Sequence, residues 1–191
     1  MPSSINVFND MIKDHLQIIN PSTVLDVGAG AGKMGYLCRE VVKHSRIECI
    51  EPTESYIDTY KLNAIYNKVY NTSIQDFATK HCQNRYDLVI FGDILEHLFR
   101  SEAIDCLDFI LYRANWAMIV WPTNLPQDDW GNNTYEIHKS NFKLTDIASK
   151  FDVLYYKKKF LGYHNNNSEC PSYELNYCLM RGHTAKRNIS L

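Results

Sequence analysis

The fold of this chain is decided by one stretch, residues 23–32, which reads Thr23-Val24-Leu25-Asp26-Val27-Gly28-Ala29-Gly30-Ala31-Gly32. Its first half is an apolar run of strand length, and its second half is rich in glycine and directly precedes a helical pattern. Glycines at a strand–helix junction let the backbone turn tightly and approach a ligand closely, with the helix N-terminus behind it. The stretch therefore predicts a ligand-binding loop between a buried strand and a helix.

The rest of the chain repeats the alternation of strand and helix. Apolar runs predict strands at residues 23–27, 47–50, 68–71, 86–91, 116–121, 151–156 and 173–180. Helical spacing of apolar residues predicts helices at 5–19, 34–42, 56–64 and 104–111. Such alternation is typical of an α/β protein whose parallel sheet is covered on both faces. The last two runs lack a helix between them, so we expect them to form a terminal hairpin.

Length and composition indicate one domain. The chain has 191 residues, of which 45% are hydrophobic, so we expect a single domain over 1–191 with an N-terminal helix at 5–19 and a loose tail at 182–191. The net charge of −2 argues against a nucleic-acid partner bound through its phosphates. Neither a signal-peptide pattern nor a membrane-length apolar run is visible. These features predict a cytoplasmic monomer or homodimer without a membrane partner.

Three ligand classes use glycine loops of this kind, and the loop excludes one of them. A P-loop needs Ser or Thr after Gly32-Lys33, where this chain has Met34. The run from Gly30 to Gly35 satisfies the dinucleotide pattern GxGxxG, and Glu51 stands where a ribose-binding carboxylate is expected. S-adenosylmethionine has no pyrophosphate but carries a cationic amino group, which a carboxylate beside the loop, such as Asp26, would suit. The loop alone leaves both of these ligands open.

Four motifs in order resemble the class I S-adenosylmethionine-dependent methyltransferases, over about residues 24–138. They are the glycine loop itself, the acidic residue after the second strand, the segment Ile74-Gln75-Asp76-Phe77, and the run from Tyr86 to Leu98. The resemblance implies a Rossmann-like three-layer sandwich with a mostly parallel seven-stranded sheet and an antiparallel C-terminal hairpin strand. It implies S-adenosyl-L-methionine as the methyl donor. The residues that it places at the donor are Asp26, Gly28, Gly30, Gly32, Glu51, Pro52, Gln75, Asp76, Phe77, Gly92 and Asp93.

Polar residues after the fourth and fifth strands form the predicted acceptor side, because open α/β sheets bind ligands at the carboxyl ends of their strands. Gly92–His97 and Gly131–His138 resemble a subgroup of methyltransferases associated with glycan and polysaccharide biosynthesis. We therefore predict methyl transfer to an oxygen of a small molecule or carbohydrate. We expect His97 or His138 to act as the general base, with Asp93 or Glu136 orienting it.

A second resemblance gives an alternative function. Asp93, Glu96, His97 and His138 are similar to the metal-binding set of small-RNA 3′-end ribose methyltransferases, although Asp93 is one methylene shorter than the usual glutamate. A divalent ion there would help deprotonate a ribose 2′-hydroxyl of RNA. Our main prediction has no metal. A further alternative is a non-catalytic binding protein that keeps the methyltransferase fold.

Overall fold

Seven strands form one mixed sheet in the computed structural model, which describes residues 6–129, 132–161 and 173–185. The strands are β1 (Thr23–Val27), β2 (Arg46–Ile50), β3 (Lys68–Tyr70), β4 (Tyr86–Gly92), β5 (Ala114–Thr123), β6 (Val153–Leu161) and β7 (Tyr173–Arg181). Their order across the sheet is β3-β2-β1-β4-β5-β7-β6. Strands β1 to β5 run parallel, and β7 pairs antiparallel with both β5 and β6. The predicted sheet and its terminal hairpin are confirmed.

Helices cover both faces of this sheet. They are α1 (Asn9–Ile19), α2 (Lys33–Val41), α3 (Glu54–Thr59), α4 (Leu62–Ile65), α5 (Ile74–Lys80), α6 (Arg100–Leu111) and α7 (Leu144–Ala148). Side chains of α1 to α4 pack into one apolar cluster, and side chains of α5 to α7 pack into a second cluster. Successive strand residues point to opposite faces, so the parallel strands supply both clusters and read as continuous apolar runs. The result is the three-layer sandwich expected from the sequence.

Two segments differ from their predicted secondary structure. The single helix predicted at 56–64 is two short helices, α3 and α4, because Lys61 between them adopts a left-handed backbone conformation (φ 52°). Such a residue cannot continue a right-handed helix. The segment that begins at Ile74 is a helix whose N-cap is Ser73, whose Oγ accepts a hydrogen bond from the Asp76 amide. The sequence prediction gave this segment a ligand contact and no helix.

The chain ends are described in part. A 3₁₀ turn, Asn6–Phe8, precedes α1, and residue 5 of the predicted N-terminal helix lies outside the described residues. In the predicted tail, the Gly182 and His183 amides donate to the carbonyls of Asn115 and Leu111. Residues 186–191 lie outside the described residues. Among the helices that the structure describes, none has the length and apolar character needed to cross a bilayer.

Candidate functional site

A cavity of about 900 Å³ opens at the carboxyl ends of the parallel strands. Five segments supply most of its wall: 27–30 after β1, 50–53 after β2, 73–75 after β3, 92–99 after β4 and 135–139 in the chain after β5. This edge of the sheet is where open α/β folds bind their ligands. A volume near the upper end of the range for ligand pockets leaves room for two substrates.

The glycine loop forms one wall of the cavity and is tied to the neighbouring strand. The amides of Gly28 and Ala29 both donate to the carbonyl of Ile50, at 2.8 and 3.1 Å. Gly28 has a φ of +71°, and a Cβ there would lie 1.9 Å from the Ile94 side chain. Glycine is therefore required at this position by both conformation and space. Gly30 also lines the cavity, whereas Gly32 is not among the lining residues.

Glu51 lies at the centre of the donor side predicted from the sequence. It is only 4% exposed, and its two carboxyl oxygens accept hydrogen bonds from the amides of Gly30 (2.8 Å) and Thr53 (2.9 Å). Burial raises the pKa of this carboxyl, and the two amide hydrogen bonds oppose that shift. The carboxylate thus connects the glycine loop to the segment that precedes α3, while it and Pro52 line the cavity.

Besides Gly32, three residues predicted at the donor are not among the cavity-lining residues. Asp76 is exposed and pairs with Lys80 at 3.8 Å, and Phe77 is buried in the core against Tyr70. Because α5 begins at Ile74, each residue turns about 100° from the last, which brings Ile74 and Gln75 to the cavity and carries the next two away. Asp26 is only 1% exposed, and its carboxyl accepts a hydrogen bond from the Tyr66 hydroxyl beneath the loop.

The four predicted catalytic residues, Asp93, His97, Glu136 and His138, all line the cavity. Asp93 follows β4 directly and has a left-handed backbone (φ 55°). Glu136 lies in a 3₁₀ turn, Thr134–Glu136, and the charge of its carboxyl helps to raise the pKa of the Tyr56 hydroxyl of α3, after the larger effect of burial. The chain after β5 therefore reaches across the cavity to the donor side. The Asn133 side chain makes a direct link there, donating to the Thr53 hydroxyl at 3.2 Å.

The two histidines lie edge to face, with ring centroids 4.7 Å apart. Nδ1 of His97 lies 3.3 Å from the Ile137 carbonyl, and Nδ1 of His138 lies 2.5 Å from the Leu125 carbonyl. A carbonyl oxygen only accepts, so each Nδ1 carries a hydrogen and each Nε2 presents a lone pair. Burial lowers the pKa of both rings, and that of His97 falls to about 4. Both imidazoles are therefore neutral at neutral pH.

Glu96 completes a cluster with the two imidazoles. One carboxyl oxygen lies 4.0 Å from Nε2 of His97, and ligand atoms of all three residues lie within 4.8 Å of one another. Glu96 is 2% exposed, and neither of its oxygens has a hydrogen-bond partner in another described residue. Burial, and then the charge of Asp93, raise the pKa of this carboxyl well above its usual range. Asp93, the fourth member of the predicted metal set, is not part of this cluster.

Several cavity residues were not predicted from the sequence. Lys33 begins α2 and lines the cavity, with the charge of Asp93 near its ammonium. Its position directly after the glycine loop was an available signal. Tyr56 and Ser73 also line the cavity, and no sequence motif around either residue indicated this position. Phe99 also lines the cavity and is 59% exposed, which is unusual for a large apolar side chain.

Comparisons with known proteins place the fold. No protein-family model matches the chain, and no curated protein sequence matches it. A SAM-dependent methyltransferase from Archaeoglobus fulgidus matches with a TM-score of 0.60 and 14% identity, over 90% of this chain and 94% of the other. The plantazolicin methyltransferase BpumL in complex with SAH matches with a TM-score of 0.58 and 16% identity, over 91% and 82%.

An O-methyltransferase family protein from Burkholderia thailandensis matches with a TM-score of 0.59 and 12% identity, over 91% of this chain and 55% of the other. Identities of this size show the fold alone. The chain therefore has the class I fold of S-adenosylmethionine-dependent methyltransferases.

Proposed function

We propose that this protein transfers a methyl group from S-adenosylmethionine to an oxygen of a small molecule or carbohydrate. One observation carries the proposal: the glycine loop with Glu51 and the two neutral imidazoles line the same cavity. A donor on the loop and an acceptor hydroxyl at the imidazoles would meet in that enclosed space. The fold shared with methyltransferases supports the same reaction type.

The donor side fits S-adenosylmethionine in its residue chemistry. The bare backbone at Gly30 admits close approach, and Glu51 offers carboxyl oxygens of the kind that bind ribose hydroxyls. Ile74 and Gln75 supply an apolar and an amide contact for an adenine ring, and Lys33 supplies a cation for the carboxylate of the amino-acid end. When bound, the donor supplies an electrophilic methyl group on a positively charged sulfur.

We assign the removal of the acceptor proton to His138. Its Nε2 carries the lone pair, and the charges of Asp93 and Glu136 favour the protonated ring that forms when Nε2 accepts a proton. His97 is the weaker base, because burial and the neighbouring ring hold its pKa at about 4. The Leu125 carbonyl holds the imidazole of His138 in the required tautomer.

The mouth of the cavity suits a ring-bearing acceptor. Phe99 and Tyr135 line it and are 59% and 51% exposed, and Lys139 Nζ lies over the Phe99 ring, 5.7 Å from its centroid. The exposed aromatic surface that remains would suit stacking on a sugar or another planar group. The Gln127 side chain is fixed by donating to the Glu136 carbonyl at 2.7 Å. This arrangement supports the carbohydrate acceptor that the resemblance to glycan-associated methyltransferases implies.

Donor binding and transfer are tested separately. Native mass spectrometry of the purified protein, followed by calorimetry with S-adenosylhomocysteine, measures the donor site. Transfer is measured with methyl-deuterated S-adenosylmethionine and a panel of neutral glycosides, by the mass gain of the product. His138→Ala is expected to abolish transfer while donor affinity stays within about twofold, and His44→Ala, an exposed histidine, is the control. Full transfer by His138→Ala would refute the assignment of the base.

A metal-dependent ribose 2′-O-methyltransferase is the second candidate function. The cluster of Glu96, His97 and His138 favours it, since two backbone-fixed imidazoles and a buried carboxyl that has no hydrogen-bond partner among the described residues make a suitable donor set for a divalent ion. A bound ion there would lower the pKa of a ligated hydroxyl. Five acidic residues line the cavity, against two lysines, and this balance disfavours the phosphates of RNA; the acidic residues are Glu51, Asp93, Glu96, Glu102 and Glu136.

Metal content separates the two candidates. Elemental mass spectrometry of the purified protein, and transfer before and after EDTA, are compared for the wild type and Glu96→Gln. The first candidate predicts a metal-free protein whose activity survives EDTA. Stoichiometric metal in the wild type, lost in Glu96→Gln together with activity, would favour the second candidate.

A further inference from the structure

Tyr66 is a buried residue outside the cavity that contacts both ends of the glycine loop. It follows α4, is 4% exposed, and donates its hydroxyl hydrogen to Asp26 Oδ2 at 2.5 Å. The same hydroxyl oxygen accepts a hydrogen bond from the Gly35 amide at 3.1 Å. Asp26 lies in β1 just before the loop, and Gly35 lies in the first turn of α2 just after it. One phenol thus joins the strand to the helix across the loop.

The Gly35 contact supplies a cap that α2 otherwise lacks. The N-cap residue of α2 is Gly32, which has no side chain to accept a hydrogen bond from the first turn. The first amides of a helix have no partner within the helix, and a side-chain oxygen usually satisfies the second or third of them. Tyr66 provides that oxygen for the third residue, Gly35, from 31 positions away in the sequence.

Gly35 is itself explained by this contact. A Cβ at position 35 would lie 2.5 Å from Cζ and 2.6 Å from the hydroxyl oxygen of Tyr66. Gly35 is the last glycine of the GxGxxG pattern that matched a dinucleotide loop in the sequence. It is not among the cavity-lining residues, and what it admits is the ring of Tyr66 together with the side chain of Ile65, whose Cγ2 would lie 2.7 Å from that Cβ.

We propose that Tyr66 is a positioning residue for the methyl donor, whose hydroxyl sets the geometry of the glycine loop by linking Asp26 to the first turn of α2. The inference rests on the proposed function, because the ligand of the loop is taken to be S-adenosylmethionine. Neither Tyr66 nor Asp26 contacts the donor in this assignment. The motif carboxylate Asp26, expected from the sequence to meet the donor's amino group, instead receives the phenol that holds the loop.

The link depends on the protonation state of Asp26. The Tyr66 hydrogen has the Asp26 carboxylate as its acceptor, so protonation of that carboxylate weakens the link. The other groups that act on Asp26 are the thiols of Cys38 and Cys49 and the carboxyl of Glu51. Burial raises the pKa of both thiols, which keeps them neutral. Burial also raises the pKa of Asp26 to about 7, while the Tyr66 hydrogen bond opposes that shift.

The test uses the affinity for S-adenosylhomocysteine, measured by calorimetry between pH 6 and 8. Tyr66→Phe keeps the ring and removes the hydroxyl. We expect about tenfold weaker binding at pH 8, which corresponds to one charge-assisted hydrogen bond. Wild-type affinity is expected to fall as the pH drops below about 7, where Asp26 becomes protonated. In Tyr66→Phe this decline is expected to disappear, since the link is already absent.

Tyr86→Phe is the matched control. Tyr86 also donates its hydroxyl to a buried carboxylate, Glu48, at 2.7 Å, but neither residue lines the cavity. Its removal is expected to lower the Tm without changing the affinity. If Tyr66→Phe does not fold, Gly35→Ala breaks the same link by displacing the ring, and weaker binding is expected again.

Three outcomes overturn the inference. If Tyr66→Phe bound S-adenosylhomocysteine with the affinity and the pH profile of the wild type, the hydroxyl would not position the loop. If Tyr66→Phe and Tyr86→Phe lost the same amount of affinity, the loss would come from lower stability of the whole fold and not from the position of the loop. Failure of the wild type itself to bind S-adenosylhomocysteine would refute the proposed function and this inference with it, whereas the first two outcomes leave the proposed function intact.

Discussion

Replacing Glu51 by Gln tests the donor site most directly. The Glu51 carboxylate accepts hydrogen bonds from the Gly30 and Thr53 amides at 2.8 and 2.9 Å. A glutamine has one acceptor oxygen, so one of the two amides would face an NH₂ group. The lost charge-assisted hydrogen bond is worth about 1.5–3 kcal/mol. If the loop geometry and the ribose contact both depend on it, affinity for S-adenosylhomocysteine should fall by about tenfold to a hundredfold.

The free energy of unfolding should change by less than the binding free energy. Burial raises the pKa of Glu51, which means that its buried charge destabilises the fold, and the neutral glutamine removes this cost. In the wild type, affinity should also fall at acid pH as Glu51 becomes protonated, at a higher pH than for an ordinary glutamate. The glutamine variant should lack the part of the acid decline that Glu51 causes and keep the decline near pH 7 that Asp26 causes.

Calorimetry with S-adenosylhomocysteine and urea unfolding measure the two quantities. Glu48→Gln is the control, because Glu48 lies on β2 three residues before Glu51, is equally buried (4% exposed) and accepts hydrogen bonds from two tyrosines away from the cavity. Wild-type affinity in Glu51→Gln, or an equal loss in Glu48→Gln, would show that the carboxylate does not organise the donor side.

Three further predictions concern other parts of the chain. Gly28→Ala should lower the free energy of unfolding by about 1–2 kcal/mol through its positive φ alone, in addition to the clash with Ile94. The double variant Gly28→Ala/Ile94→Ala should recover only the loss that the clash causes, as measured by urea unfolding. Asp76→Ala should leave the affinity for S-adenosylhomocysteine within about twofold, since the side chain is exposed and pairs with Lys80; a large loss by calorimetry would return Asp76 to the adenine site. Burial lowers the pKa of His15 from 6.5, so the unfolded chain takes up the proton more readily and wild-type stability should fall as the pH drops below about 6.5. His15→Asn should flatten that decline in Tm measured from pH 7.5 to 5.

The fold could be predicted because its signals are local. The apolar strand, the glycine loop and the helix after it lie within 19 residues, 23–41. The hairpin of β6 and β7 was visible as two β-rich runs without a helical pattern between them. The break at Lys61 was not visible, because a single left-handed residue leaves the helical spacing of its neighbours unchanged.

The sequence indicates that a residue lies at the cavity when that residue stands at the end of a strand. It does not indicate positions that depend on contacts between residues far apart in the chain. Glu51 and Asp93 follow strands directly, so the topology of the sheet brings them to the cavity. The environment of Asp26 is decided by Tyr66, 40 residues further along the chain, and no periodicity predicts that pair. For Asp76, the sequence motif did not reveal that the Ser73 cap starts a helix, which turns the Asp76 side chain outward.

The close fit of Gly35 against the ring of Tyr66 has a consequence for how this sequence can diverge. A side chain at position 35 requires both the phenol at position 66 and the Ile65 side chain to move, so loss of the phenol removes one of the two reasons for glycine at 35. Neither change is neutral alone, since the first creates a clash and the second leaves a helical amide and a buried carboxylate without their shared partner. In relatives of this chain, the two positions should therefore covary: a small residue at 35 with tyrosine at 66, or a larger residue at 35 with a smaller one at 66.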